Sequence, residues 1–163
     1  MNASQVHLML NHVPVMGIVF VMVALAAGLW LRRGALLRFG LFTLVAIALA
    51  AVPVYFSGGA SEEKVEKMAG VQERTIEQHE DVARTASIGL AMLALIGLVG
   101  LVRYRNTPIP VPFAATVLAA AVVLGGALAW TAHLGGQIRH EELRGTTSAA
   151  IAPAETQAEA DDD

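Results

Sequence analysis

The chain contains no cysteine, which excludes a disulfide framework and any thiolate metal site. Metal chemistry would have to rest on histidine, carboxylate, methionine or backbone oxygen. Charge is also scarce. Asp, Glu, Lys and Arg make up 15% of the 163 residues against 55% hydrophobic, a balance foreign to a soluble domain of this size. The net charge of -3 carries no basic excess, and no nucleic-acid partner is expected. The scarcity is uneven. Apart from Arg38 at the edge of the second, no charged residue interrupts four apolar runs at about 14–31, 37–56, 85–102 and 109–132. Each is close to the roughly 20 residues that cross a bilayer as a helix. A soluble bundle whose helices were apolar on every side would have no face for water. The expected fold is therefore all-α, an integral membrane four-helix bundle in the lipid bilayer.

The placement of charge predicts an orientation. The loop after the first run carries Arg32, Arg33 and Arg38, the loop after the third carries Arg103 and Arg105, and neither holds an acid. Loops of this kind stay cytoplasmic. All 14 acidic residues fall elsewhere, seven from Glu62 to Asp81 and seven from Glu141 to Asp163. The expectation is N-out/C-out in a bacterial inner membrane, multi-pass, with both termini periplasmic. The first run has no positive segment before it and arginines after it, the pattern of a retained anchor rather than a cleaved signal. Residues 1–144 read as one four-span membrane domain. Residues 145–163 read as a disordered acidic tail with no periodic apolar face.

Along the chain, residues 2–11 form an amphiphilic lead-in. Asn11 is a candidate cap, and Pro14 falls in the first turn of a span that ends at Trp30. Pro53 removes a donor near the outer end of the second span. Ser57-Gly58-Gly59 predicts a helix break, and Ser61-Glu62-Glu63 restarts a short periplasmic helix to about Ala69. From Val71 onward nothing interrupts the helical pattern, so the third helix projects beyond the membrane with Ile76, His79 and Ala83 on one inward face. Seven of the nine aromatics, Trp30, Phe39, Tyr55, Phe56, Tyr104, Phe113 and Trp130, mark span ends as an aromatic belt does. Gly17, Gly28, Gly89, Gly97 and Gly100 allow helices to approach closely.

All five histidines fall on the predicted outer side. His12, His79 and His133 come from three different helices and are the candidate cofactor ligands, with His7 and His140 peripheral. Met16 shares a helical face with His12 and adds a soft donor suited to copper. Two imidazoles on facing helices can hold a b-type haem axially, and three or four nitrogens can hold a transition metal ion, copper or zinc. The haem version would use His133 with His12 or His79. The corresponding function is electron transfer, with a periplasmic redox protein or a larger membrane complex as partner. Two other readings stand beside it. Interfacial histidines can be merely solvated, which would leave a cofactor-free accessory or structural subunit of a larger complex. A small transporter or channel is the third, disfavoured because no acidic residue lies within a span. No local motif such as H-E-x-x-H identifies an enzymatic reaction.

The stretch His7-Leu-Met-Leu-Asn-His12-Val-Pro14 resembles the opening H-P-x-x-V-H-F-P of a family of small bacterial four-span membrane proteins known as domain of unknown function twenty-two thirty-one. Leu8 and Val13 depart from its Pro and Phe. Gly135-Gly136 and His140 are similar to the Gly-Gly and histidine that close its fourth helix, at a shorter spacing and without the following glycine. The resemblance implies a four-helix inner-membrane architecture with histidines of interest at the outer face. It implies no activity.

Overall fold

The computed structural model describes residues 3–66 and 73–139. Five helices follow one another: α1 (Ala3–Leu10), α2 (His12–Trp30), α3 (Gly34–Glu66), α4 (Glu73–Arg103) and α5 (Val111–Arg139). The last four are each long and apolar enough to cross a membrane. Between 28% and 33% of the most apolar window of each is buried inside the bundle, so most of each span must face an apolar surrounding. Phe20, Phe42, Leu49, Met92, Leu95, Val99, Val122 and Val123 form part of that outward surface. In water such a surface would cost about 25 cal/mol per Å² of apolar area, which a bilayer removes.

Inside, Ile18, Val21, Leu25, Leu41, Leu44, Leu90 and Val117 are fully buried. α2 packs against α3 and α5, and α4 against the same two helices. The four spans therefore form a closed square in chain order. Both tight connections lie at one end of it, the arginine end. There α2 finishes in a Schellman turn: the N–H of Arg33 donates to the Gly28 carbonyl at 2.9 Å and that of Arg32 to Leu29 at 3.4 Å. Arg32 holds φ at 51°, where glycine is the usual occupant. Arg38 Nη2 donates to the carbonyls of Tyr104 at 2.7 Å and Thr107 at 2.9 Å, tying the second connection to α3. Phe113 lies edge-on to Tyr104 and directly over Gly100. A Cβ at position 100 would collide with it.

Two local expectations are corrected. The helix break at Ser57-Gly58-Gly59 is absent, and α3 continues to Glu66 with no separate short helix restarting at Ser61. A glycine costs a helix only about 1 kcal/mol relative to alanine, and here the missing side chain makes room for a neighbour. Gly135-Gly136 likewise fails to end α5. Asn11 does not cap α2: its backbone is helical, its side chain makes no capping bond, and its buried Oδ1 has no partner among the described residues. The lead-in is a defined helix, α1, which packs against α3 and only lightly against α2.

The bundle is an internal repeat of two helical hairpins. His7 is followed by glycines ten and twenty-one residues on, Gly17 and Gly28, and His79 by Gly89 and Gly100 at the same spacings. The contacts repeat with the sequence. A Cβ at Gly17 would meet Ile47, and one at Gly89 would meet Leu124 at 3.3 Å. Ile47 stands seven residues before Val54, and Leu124 seven before Thr131. These last two residues hold the histidines.

Candidate functional site: a histidine at the open end of each hairpin

The end of the bundle opposite the arginine loops is formed by α1, the last turns of α3, the first turns of α4 and the last turns of α5. No apolar packing dictates polar residues here, yet two histidines are half-buried in matching surroundings. His7 Nδ1 lies 3.0 Å from the Val54 carbonyl, and His79 Nδ1 lies 3.0 Å from the Thr131 carbonyl. A carbonyl can only accept, so each ring carries its proton on Nδ1 and donates it. Nε2 is then the nitrogen with the lone pair, as in a histidine oriented for a metal by a backbone partner.

Each ring also lies on a glycine one helical turn past its carbonyl. A Cβ at Gly58 would stand 3.2 Å from His7 Cε1, and one at Gly135 would stand 3.2 Å from His79 Cε1. The two half-sites therefore share one construction of histidine, carbonyl and glycine. The carbonyl of Val54 differs in one respect, because it also accepts the hydroxyl of buried Ser57 at 3.0 Å.

The rings sense each other. His79 precedes the apolar stretch at 85–102 and lies outside the membrane-crossing part of α4. Burial pushes its pKa below the ordinary 6.5, the hydrogen bond to Thr131 works against that shift, and charge on His7 adds to the lowering. Both effects that lower it favour the neutral imidazole, which is the form that ligates.

The other sequence candidates lie elsewhere. His12 is exposed, as is Met16. His133 is exposed, stacks on Trp130 with ring centroids 5.2 Å apart, and accepts a hydrogen bond at Nε2 from Gln137 at 3.1 Å. It is an interfacial pair on the outside of α5, two residues past the carbonyl that holds His79. His140 lies outside the described residues. Among the described residues no three His, Cys, Asp or Glu side chains gather to hold a metal ion, so the trio of His12, His79 and His133 is not assembled there. His79 keeps its expected inward position beside buried Ile76. Its counterpart is His7, which sequence reasoning had placed at the periphery. The signal that could have found it was the repeated spacing from each histidine to two glycines, with a Gly-Gly pair later in each hairpin, Gly58-Gly59 and Gly135-Gly136.

No family model, no curated protein and no solved structure matches the chain.

Proposed function

We propose that the protein is a bis-histidine b-type haem protein of a bacterial inner membrane, with His7 and His79 as axial ligands and electron transfer as its role. The observation that carries this reading is the pairing of two half-buried imidazoles from opposite hairpins. Each is fixed through Nδ1 on a helix carbonyl at the same end of the bundle. The number of donors favours haem over a bare ion. Zinc in a protein takes four ligands, or three and a water, whereas a haem iron already holds four porphyrin nitrogens and needs only two more. An iron with both axial positions filled by imidazole has no position open for a substrate and suits the passage of single electrons. The arginine loops support a cytoplasmic position for the other end of the bundle. The haem and both termini would then face the periplasm, open to a soluble redox partner or a neighbouring membrane complex.

The test is an absorption spectrum and metal analysis of the full chain purified in detergent after expression with haem supply. The expected result is a Soret band, with sharp visible bands on reduction. It should be lost in His79→Ala and unchanged in His12→Ala and His133→Ala. A folded protein that takes up no haem from added haemin refutes the reading. Bound copper or zinc in its place would move the assignment to an ion site.

A further inference from the structure

We infer that the two ligands are unequal, and that His7 is the one that detaches to let a neutral diatomic ligand bind the iron; this rests on the bis-histidine reading above. The asymmetry lies in how each histidine is carried. His79 belongs to a helix of 31 residues that runs without interruption into the membrane, where Ala86, Leu90 and Leu93 are buried in the core. It cannot move away without moving a span. His7 belongs to the eight-residue α1, which is separated from α2 at Asn11 and rests on α3. The Asn11 N–H donates to the His7 carbonyl at 2.8 Å, so a pivot between Asn11 and His12 carries His7 with α1 off α3 and leaves the four spans packed on one another.

Two further observations lower the cost of that pivot. Among the described residues Asn11 Oδ1, buried at the joint itself, has no hydrogen-bond partner, so the docked position of α1 leaves there a polar atom that opening would hydrate. The Val54 carbonyl keeps the Ser57 hydroxyl when the imidazole leaves, so departure does not strip it of its side-chain donor. The exchange is a simple substitution. The bond from iron to His7 Nε2 breaks, a bond from iron to the incoming ligand forms, and no electron changes hands. Carbon monoxide as a probe requires ferrous iron, which dithionite supplies.

The experiment uses the reduced, haem-loaded full chain in detergent, mixed rapidly with carbon monoxide and followed by its Soret shift. In the wild type the observed rate should level off at high carbon monoxide, because release of His7 limits it. In His7→Ala haem is retained, the rate rises linearly with ligand, and the apparent affinity increases by the inverse of the open fraction, about tenfold if a tenth of the molecules are open at rest. Ser57→Ala leaves the Val54 carbonyl to His7 and should lower the limiting rate severalfold, a readout that survives if His7→Ala fails to fold. Three results overturn the inference: a wild type with a Soret band that binds no carbon monoxide, an unchanged limiting rate in Ser57→Ala, or fast binding in His79→Ala with His7→Ala losing its haem. A wild type without a Soret band defeats the haem reading itself and is distinguished from all three.

Discussion

The glycine beneath His79 gives the sharpest test of the site. In Gly135→Ala the new Cβ would stand 3.2 Å from His79 Cε1 and 3.5 Å from Nδ1, so the ring must retreat by a few tenths of an ångström. That movement lengthens a 3.0 Å hydrogen bond to the Thr131 carbonyl, near the upper end of good N–H···O geometry. A bond of this kind contributes about 0.5–1.5 kcal/mol net, and alanine returns about 1 kcal/mol of helix propensity. The two nearly cancel, and the folding stability of Gly135→Ala should lie within about 1 kcal/mol of the wild type. Ligation does not cancel, because disturbing the partner that orients a metal-binding histidine typically costs about 10–100-fold in affinity. Gly126→Ala is the control, since its Cβ would meet nothing within 4 Å. Titration of the apo-protein with haemin, read at the Soret band, should show weakened binding for position 135 and none for position 126. Equal haem affinity in wild type and Gly135→Ala, with both folded, would refute the assignment of His79 as a ligand held over that glycine.

Three further outcomes are expected. Arg38→Met removes both guanidinium hydrogen bonds to the α4–α5 connection and should lower stability by about 2 kcal/mol, the scale of a hydrogen bond from a charged group; a denaturing-detergent titration measures it, and Arg38→Lys should recover less than half because it cannot fork. Arg32→Gly relieves a left-handed residue at φ 51° and should raise stability by about 1 kcal/mol in the same titration, with the orientation kept by the remaining arginines. The lowered pKa of His79 means that the unfolded chain binds its proton first as pH falls. Stability from this group is complete above 6.5, declines as pH drops from there to the folded pKa, and then levels off. In the apo-protein that decline should shrink in His79→Gln, as followed by thermal unfolding at a series of pH values.

The spans were legible in the sequence because bilayer thickness imposes a length that composition alone reveals. The apolar runs fall within α2, α3, α4 and α5, give or take a few end residues. What the sequence concealed was the outer end. Ser57-Gly58-Gly59 and Gly135-Gly136 carry the usual signature of a helix terminus, yet both stretches are helical. Local propensity misled because it prices a glycine only by its own backbone freedom, and here each glycine is placed for a ring that comes from another helix. The same limit hid the surroundings of His7. Position relative to the membrane made His12 and His133 attractive, but depth does not fix direction, and both point outward. Direction depends on which carbonyl lies within reach, and the Val54 and Thr131 carbonyls come from residues 47 and 52 positions away.

The repeat explains why one site, rather than two, is to be expected. Within the membrane the two hairpins match through packing: Gly17 on Ile47, Gly89 on Leu124, and Gly28 and Gly100 at the tight end. These contacts are apolar and would be satisfied whatever lay above them. Beyond the membrane each hairpin contributes a single imidazole with a single free nitrogen, and one nitrogen binds no ion firmly by itself. On the proposed reading, a guest that accepts one donor from each side would complete both halves at once, as a haem iron would. Two departures from equivalence lie near the histidine end. Ser57 is matched by Leu134, and α1 ends at Leu10 with α2 starting at His12 where α4 runs on. Both differences lie on the His7 side, and both ease the departure of His7 and not of His79. The hairpins also differ at the arginine end, where residues 31–33 form a tight turn and residues 104–110 a longer connection tied to Arg38.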